Sequence, residues 1–334
     1  MGITTVVYAI IIFCLLILVH EFGHFAAAKL VGVRVNEFSL GMGPLLFHFT
    51  KGETEYSLRA LPIGGFCRME GEDEESQDER ALNNQPVWAR ALVVAAGAFM
   101  NFITAVLIMA GIALAVGVAT NGVASVTEGS PAELSGLRPG DQIIEVDGGK
   151  VDRFSDVVNA ITNGEGETVS LTIRRDGQIM DVESGVQIME GRRVIGITAE
   201  IKKQPGLALQ SGFESVMSMG RQMVSYLGQL VRGKGSADDL VGPVGIVSLI
   251  GDQAKYGFLN LANLTALISL NLAIVNMLPF PALDGGRLLF LIIRLFTGKA
   301  VSDETEGKIH FAGMMVLFAF MAYILIRDVD RFIL

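Results

Sequence analysis

Apolar residues gather in four long stretches of this chain instead of being spread evenly along it. None of the four contains Asp, Glu, Lys or Arg over a length close to the roughly 20 residues that a helix needs to cross a bilayer. They run from Met1 to Val19, Ala91 to Thr127, Tyr256 to Leu283 and Ile309 to Ile326. This pattern predicts four transmembrane helices, and the second stretch is long enough to continue into backbone outside the membrane.

Positive charge in the short loops predicts the orientation, because basic loops stay in the cytoplasm. The loop from Asp284 to Lys308 has four basic residues, whereas the extreme N-terminus has none. Arg327 and Arg331, after the last stretch, favour the opposite orientation but are outnumbered. We therefore expect both termini to be extracytoplasmic, with residues 29–90 in the cytoplasm and residues 120–255 outside.

The composition excludes several classes of protein. Hydrophobic residues make up 51% of the chain and charged residues 18%, which argues against a disordered chain and against an ordinary soluble enzyme. The net charge of −9 provides no basic surface, so no nucleic-acid partner is expected. We interpret the acidic residues 70–79 as a solvated loop, with a regulatory or ion-binding segment as the alternative. Cys14 and Cys67 predict no disulfide framework.

Two histidines and a glutamate follow the first apolar stretch in the order His20-Glu21-Phe22-Gly23-His24. On a helix, His20 and His24 lie one turn apart on the same face, and this spacing lets two imidazoles bind one Zn²⁺. Glu21 lies beside them and can accept a proton from a water at the metal. Ionisable side chains at a membrane span are costly and therefore indicate a functional site. The alternative is a structural role, in which the three residues only cap the helix at the interface.

A catalytic zinc site needs a third protein ligand and one open position. The other two histidines are weaker candidates, because His48 lies in an alternating, strand-like stretch and His310 opens the last apolar stretch. Asp284 is the better candidate, since it follows the third stretch after Pro279 and Pro281. The prolines force irregular backbone, which is tolerated at membrane depth only where it lines a buried or water-filled cavity. A carboxylate that emerges from such a break is well placed to meet the first helix.

With these two motifs, the chain resembles the site-2 protease family of intramembrane zinc metalloproteases. Within that family it is similar to the bacterial regulator-of-sigma-E protease type with a single PDZ domain. The resemblance rests on the helix motif followed, in the family's order, by Asn276-x-x-Pro-x-Pro-x-Leu-Asp-Gly285. It covers nearly the whole chain, because the segment from Gly242 to Ile246 and the glycine-rich region after the first helix are also similar.

The resemblance implies a role for each matching residue. His20, His24 and Asp284 are the expected Zn²⁺ ligands, and Glu21 is the expected general base. The substrate backbone is expected to be held by Asn276 and by Asn271, a little over one turn earlier.

One departure from the family is visible in the second apolar stretch. Family members often have a proline after the glycine of Gly-Pro-x-x-Asn-Phe, and here the run from Gly97 to Phe102 has Ala98 at that position. The asparagine of the motif is kept as Asn101, so the departure concerns the local helix geometry and not the activity.

The region after the first helix alternates polar and apolar residues between turn residues, which predicts strands. We expect strands over Val33 to Pro44, Leu45 to Phe49 and Glu55 to Met69. In the family a similar region is a β-structure that dips into the membrane beside the zinc, and the match lies around Gly41 and Gly43. An unwound transmembrane substrate could pair with a strand edge there. A structural hairpin without substrate contact is the alternative.

Val123 to about Gln187, within the predicted division 120–188, alternates strand patterns with one helical stretch, Ser155 to Thr162, and contains the run from Ser130 to Gly148. This run resembles a circularly permuted, protease-associated PDZ domain, which implies that it binds an extended peptide or chain end by strand addition. Charged and polar residues interrupt the stretch from Leu207 to Val231. We interpret it as an amphipathic helix on the outer membrane face or against the PDZ domain, not as a fifth span.

The predicted fold class is an α-helical polytopic membrane protein with four transmembrane helices, a membrane-associated β-hairpin region and an inserted α+β PDZ domain. The predicted divisions are 1–28 (first transmembrane helix with the zinc motif), 29–89 (cytoplasmic or membrane-reentrant β region and acidic loop), 90–119 (second transmembrane helix), 120–188 (PDZ domain), 189–255 (amphipathic linker helices), 256–283 (third transmembrane helix), 284–308 (cytoplasmic ligand loop) and 309–328 (fourth transmembrane helix).

The predicted activity is that of a zinc-dependent intramembrane endopeptidase in regulated intramembrane proteolysis. The resemblance implies Zn²⁺ as the cofactor and a bacterial cytoplasmic membrane as the location. It also implies single-span membrane proteins as substrates, of the anti-sigma-factor or remnant-signal-peptide type. Two other classes stay open: a PDZ-based membrane scaffold or receptor with a structural metal site, and a transporter in which the His/Asp cluster relays metal ions. A shortage of carboxylates at membrane depth disfavours the transporter.

Overall fold

The computed structural model describes residues 2–72, 76–234, 241–298 and 303–332. The helices are α1 (Ile3–Leu30), α2 (Val87–Val116), α3 (Pro131–Leu134), α4 (Phe154–Asn163), α5 (Pro205–Val231), α6 (Pro243–Lys255), α7 (Phe258–Asn276), α8 (Asp284–Thr297) and α9 (Asp303–Phe332). The strands are β1 (Val35–Lys51), β2 (Thr54–Met69), β3 (Val118–Val126), β4 (Gln142–Val146), β5 (Gly149–Lys150), β6 (Thr168–Arg175), β7 (Gln178–Gly185), β8 (Gln187–Met189), β9 (Arg192–Val194) and β10 (Ile197–Lys202). The chain divides into two compact units, one formed by Met1–Met109 with Gly212–Leu334 and the other by Ala110–Ser211.

Four helices of the described chain, α1, α2, α7 and most of α9, are long and apolar enough to cross a membrane. They match the four predicted stretches, and with the β region and the inserted α+β domain they confirm the predicted fold class. The third span is shorter than its apolar stretch, because α7 ends at Asn276 and the following Pro279 and Pro281 cannot continue a helix. The second span ends at Val116, where Gly117, with a φ of 95°, turns the chain toward β3.

Polar and apolar contacts together join α1, α6 and α9 in the first unit. Leu16 of α1 and Ile250 of α6 lie in one buried cluster. The carboxylate of Asp328, buried on α9, accepts the backbone N–H groups of Gly242 and Gly245 over 3.2 and 2.8 Å. These donors lie at the start of α6, where a helix has no partners of its own for its N–H groups. α9 therefore caps α6.

The second half of α5 packs against two of the spans. Val216, Met219 and Met223 of α5 lie in one apolar cluster with Ala105 of α2 and Ala266 of α7. Small side chains on the spans let the methionines approach closely. The spans therefore cover the apolar side of this half of α5, and the placement of the helix on the outer membrane face or against the PDZ domain stays a prediction.

The strands β1 and β2 form a sheet of their own, as the alternation predicts. Residues 37–40 of β1 pair on one side with residues 55–58 of β2 and on the other with residues 65–68. This double pairing requires β2 to turn back between residues 58 and 65, where Gly64 has a φ of 89°, and Gly41, with a φ of 86°, bends β1. No strand of the described chain pairs with the outer side of residues 65–69. This part of β2 is therefore an open edge.

The second unit is built on a sheet with the strand order β10-β3-β4-β6-β7, and β5 pairs with β4. Its core includes Ile143, Leu171 and Ile173 from the sheet and Val157 from α4. The predicted end of this domain at residue 188 is too early, because β10 pairs with β3 at the end of the sheet. The strands β8 to β10 are short and separated by turns, so their alternation is a weak signal in the sequence.

The segment predicted as a ligand loop at 284–308 differs from that prediction, because α8 is a 14-residue helix that begins at Asp284. Gly285 and Gly286, which are poor helix formers, obscured it. Both glycines are required by packing. A Cβ at Gly285 would collide with the carbonyl oxygen of Leu278 in the preceding turn, and a Cβ at Gly286 with that of Phe280. The glycines therefore let α8 begin directly against that turn.

One buried ion pair stabilises the second unit. The carboxylate of Asp141 accepts two hydrogen bonds of 2.7 Å from the guanidinium of Arg175 and one of 2.8 Å from the backbone N–H of Arg138. Burial acts to raise the pKa of this carboxyl, but the hydrogen bonds outweigh it and hold the pKa of Asp141 below its usual range.

We expect Arg175→Met to lower the free energy of unfolding of this unit by about 2 kcal/mol at pH 7, because it leaves a buried carboxylate without its cation. A lowered pKa contributes stability above the unfolded-state value of about 3.9, and that stability is lost as the pH falls through the folded-state value. The difference between the two proteins should therefore shrink below about pH 4. Hydrogen exchange of residues 168–185 in the full chain measures the free energy of unfolding of this unit in each protein.

The matched control is Arg174→Met, since Arg174 is exposed and hydrogen-bonds the neutral Gln142. It should change the stability by no more than about 0.5 kcal/mol. An equal effect of the two substitutions, or an Arg175→Met effect that persists unchanged at pH 3, would contradict the role given to the ion pair.

Candidate metal centre

The helix α1 carries His20 and His24 on the face that meets α2. Both side chains are buried, and their Nε2 atoms lie 3.2 Å apart. The helices approach closely at Gly23, where a Cβ would collide with the carbonyl oxygen of Ala96. Gly97 follows on α2, and a Cβ there would collide with Nε2 of His24 and lie 2.8 Å from Cε1 of His20. The two glycines thus make the room that two imidazoles need.

Asp284 reaches the same point from the far end of the chain. It opens α8 after a turn in which Ala282 has a φ of 78°. Its Oδ2 lies 3.2 Å from Nε2 of His20 and 3.5 Å from Nε2 of His24. The structure therefore brings together the three side chains that the sequence predicts as ligands.

The three converging atoms form a triangle of the size that Zn²⁺ requires. Donors about 2.1 Å from a tetrahedral ion lie about 3.4 Å from one another, and the three separations here are 3.2, 3.2 and 3.5 Å. Oδ2 of Asp284 is buried and receives no well-directed hydrogen bond from the described residues, which is costly for a carboxylate unless a cation binds there. Two imidazoles and a carboxylate suit zinc and leave a fourth position open.

A second layer of groups orients the histidines. Nδ1 of His24 lies 2.8 Å from the carbonyl oxygen of Val93, so Nδ1 holds the proton and Nε2 presents its lone pair. The amide of Asn101, buried on α2, lies 3.3 Å from Nδ1 of His20, and its oxygen can face that nitrogen because the two amide orientations are interchangeable. Ser269 of α7 donates to the carbonyl oxygen of Asn101 over 2.8 Å. No site role was predicted for Asn101, although its place in the family motif was a signal.

A cavity of about 410 Å³ opens beside the three predicted ligands. Glu21 lines it, and so do residues 66–69 of the open strand edge. Gly65 lies next to Glu21, since a Cβ on this glycine would be 3.6 Å from Cγ of the glutamate. The predicted ligands, the predicted general base and a free strand edge therefore share one cavity.

Four other residues predicted to contact substrate are not part of this lining. Asn276 ends α7 and is half-buried, and Asn271 is exposed on the same helix. Gly41 bends β1, and Gly43 is exposed beyond the bend. None of the four belongs to the described lining of the cavity, so their roles stay predictions. Residues 66–69 were not predicted as part of the site, although they continue the alternation that predicted the strand.

Part of the acidic run is folded against the cavity. Glu72 lines it and pairs with Arg287 over 2.5 Å, and Glu70 accepts hydrogen bonds from Asn36 and Ser76 over 2.8 and 2.6 Å. The interpretation of the run as a solvated loop is therefore wrong for Glu72, which lines the cavity. Residues 73–75 of the run lie outside the described residues.

The chain that forms this site and fold matches a known protein family. The model of peptidase family M50 matches residues 8–320. The chain belongs to peptidase family M50. The resemblance to the site-2 proteases is confirmed, and the protein is a membrane-embedded zinc metalloprotease with Zn²⁺ as its cofactor.

Relatives of this M50 protease match it from end to end. A Clostridium perfringens protein, named provisionally as a zinc metalloprotease, is 38% identical over 328 residues, which cover 97% of this chain and 98% of the relative. The regulator of sigma-W protease RasP of Bacillus subtilis is 30% identical over 422 aligned positions, which cover both chains completely. The zinc metalloprotease RasP of Geobacillus kaustophilus is 28% identical and covers 99% of each chain.

Solved PDZ domains are similar to part of the M50 chain. The PDZ domain of an SdrC-like protein of Listeria monocytogenes is 25% identical, with a TM-score of 0.22, and the match covers 24% of this chain and 86% of that domain. The corresponding domain of Listeria innocua is 26% identical, with a TM-score of 0.22, and covers 26% of this chain and 96% of that domain.

We expect Gly97→Ala to lower the zinc affinity of the purified protein by at least about 100-fold, because the added methyl group would occupy the space of Nε2 of His24 and displace a ligand. Competition with a chromophoric chelator measures the affinity. Gly111→Ala on the same helix is the matched control, since a Cβ at Gly111 meets no atom within 4 Å. Wild-type zinc affinity in Gly97→Ala would show that the ion does not bind between these imidazoles.

Proposed function

We propose that this M50 metalloprotease hydrolyses peptide bonds within or next to the transmembrane segments of single-span proteins, with His20, His24 and Asp284 as its zinc ligands. The observation that carries the proposal is the convergence of these three side chains between apolar spans, beside a cavity that also contains Glu21. Polar groups at this depth are costly unless they serve a function.

Each residue of the site has a distinct part in the proposed hydrolysis. Zn²⁺ held there supplies a Lewis acid that polarises the scissile carbonyl and acidifies water. Glu21 accepts the proton of the attacking water and passes it to the leaving amine. His24 is kept in the ligating tautomer by the carbonyl oxygen of Val93, and His20 is oriented by Asn101.

The open edge of β2 is the proposed binding surface for the substrate backbone. A helical peptide bond is shielded by its own hydrogen bonds, so a transmembrane substrate must unwind before hydrolysis. An unwound segment can then add to the edge at residues 65–69 as an extra strand, which leaves it extended in the cavity of Glu21. Asn276 and Asn271 stay predicted contacts of the substrate backbone.

The proposed substrates are anti-sigma factors or remnant signal peptides in a bacterial cytoplasmic membrane. The name of the Bacillus subtilis relative, a regulator of sigma-W protease, supports the anti-sigma type. The four basic residues of the segment from Asp284 to Lys308, between the third and fourth spans, support an orientation with both termini extracytoplasmic. The inserted domain, with its PDZ-like sequence run, is proposed to bind a peptide or chain end.

We expect Glu21→Gln to lower kcat on a tagged single-span substrate by about 10²–10⁴-fold, because the amide cannot take up the proton of the attacking water. Co-expression followed by detection of the shortened product measures this. Zinc content should stay at the wild-type level, since Glu21 is not a proposed ligand. His20→Ala is the companion variant and should lose both zinc and cleavage.

A protein that cleaves equally well with Glu21→Gln would contradict the proposed mechanism. If neither wild type nor variant cleaves while the biological activity persists in both, the protein is instead a PDZ-based scaffold or receptor with a structural metal site. Metal uptake into proteoliposomes without cleavage would indicate a transporter.

The open-edge proposal predicts a cross-linking pattern. In a Cys14→Ala, Cys67→Ala, Glu21→Gln background, Arg68→Cys should form disulfides with cysteines placed along the substrate segment, strongest at every second position because side chains alternate across a strand. Thr50→Cys, exposed on β1 away from the cavity lining, is the control and should not cross-link. Equal yields at all substrate positions, or equal yields from the two protease cysteines, would contradict strand addition at this edge.

A further inference from the structure

The turn that carries Asp284 is contacted by α9 at two points one helical turn apart. Nδ1 of His310 accepts the backbone N–H of Ala282 over 2.9 Å. At Gly313 the helix backbone touches the same turn, since a Cβ there would lie 2.5 Å from Cβ of Pro281. The element that ends in a predicted zinc ligand is therefore braced from the last span.

The imidazole of His310 is itself held in place. Its ring packs against the ring of Phe290 of α8, with the centroids 5.6 Å apart. Its Nε2 lies 3.7 Å from a carboxylate oxygen of Glu306, one turn earlier on α9. This arrangement favours the proton on Nε2 and leaves the lone pair of Nδ1 for Ala282. The ring thus has one orientation and one tautomer suited to accepting the N–H.

The conformation of the turn needs such a contact. Ala282 has a φ of 78°, which is unfavourable for a residue with a Cβ and persists only where the surroundings enforce it. Asp284 follows two residues later, with Oδ2 3.2 and 3.5 Å from the two Nε2 atoms. Zinc–ligand distances in proteins are expected to lie within about 0.2 Å of their standard values. A small relaxation of the turn would therefore move the carboxylate out of range.

We propose that His310 is a positioning residue for the metal centre: by accepting the N–H of Ala282 it holds the turn in the conformation that keeps Asp284 at ligating distance. The inference rests on the proposed function, because the position of Asp284 matters only if this carboxylate binds the ion. His310 touches none of the three predicted ligands and does not itself line the catalytic cavity; it contacts the lining only through the backbone N–H of Ala282. It acts through the backbone of the turn.

The first test compares His310→Ala with His310→Asn in the full-length protein in detergent micelles. The alanine removes the acceptor, whereas the oxygen of asparagine can take the position of Nδ1. We expect His310→Ala to weaken zinc binding by about 10–100-fold, as loss of an outer-layer partner does, and to lower kcat with KM within about twofold of wild type. His310→Asn should restore most of both losses. His48→Ala, on β1, is the control and should match wild type.

The second test does not touch the imidazole. Gly313→Ala should push the turn through Pro281 and lower the zinc affinity, whereas Gly307→Ala on the same helix should not, because a Cβ at Gly307 meets no atom within 4 Å. The two substitutions change the helix propensity equally, so a difference between them reports the contact with the turn. This pair of variants tests the positioning role even if His310→Ala fails to fold.

The outcomes separate this inference from the function on which it rests. Wild-type zinc affinity and kcat in both His310→Ala and Gly313→Ala overturn the positioning role. The positioning role is also overturned if His310→Asn binds zinc no more tightly and has no higher kcat than His310→Ala, provided that the two zinc-free proteins have equal melting temperatures. If His20→Ala also retains wild-type zinc binding, the proposed metal centre itself is wrong, and that result is distinct from the first.

Discussion

The convergence of two imidazoles and one carboxylate on a single point between apolar helices is the constraint on which the rest of the structure depends. Charged and polar groups are costly at this depth, so every element near them has to fit their geometry. Gly23 and Gly97 let α1 and α2 close around the imidazoles, and Gly285 lets α8 start against the preceding turn. Side chains at these positions would keep the ligands apart.

The same constraint explains the polar groups around the centre. An imidazole that binds zinc through one nitrogen almost always has a hydrogen-bond partner for the other nitrogen, and this partner fixes its orientation and tautomer. Val93 supplies that partner with its carbonyl oxygen and Asn101 with its side-chain amide, and Ser269 ties α7 to the backbone of Asn101. The helix α2, which is almost uniformly apolar in the sequence, thus contributes two of the groups that orient the histidines: the carbonyl oxygen of Val93 and the amide of Asn101.

Much of this arrangement could be predicted from the sequence, because its strongest signals are local. Charge-free stretches predict the spans, and the one-turn spacing of His20 and His24 predicts a shared ligand face. The helix α8 and the strand β10 were missed for a physical reason: the glycines that allow close packing also suppress helix propensity, and short strands between turns barely alternate. The approach of Asn101 to His20 depends on helix packing, which no local pattern encodes.

The position of α9 shows how a membrane protein can fix a helix with few contacts. Much of its surface is apolar and exposed, as at Phe311 and Val316, and apolar contact gives little net attraction between helices that are already surrounded by lipid tails. Polar contacts near its two ends therefore have to specify its place: His310 binds the turn before Asp284, and Asp328 caps α6.

These two attachments close a ring of contacts around the metal centre. The helix α6 packs on α1 through Ile250 and Leu16, and α1 carries the two histidines. α9 therefore connects the element that carries the histidines, by way of α6, to the turn that carries the carboxylate. The two halves of the ligand set, more than 250 residues apart in the sequence, are held in register by this ring even before an ion joins them.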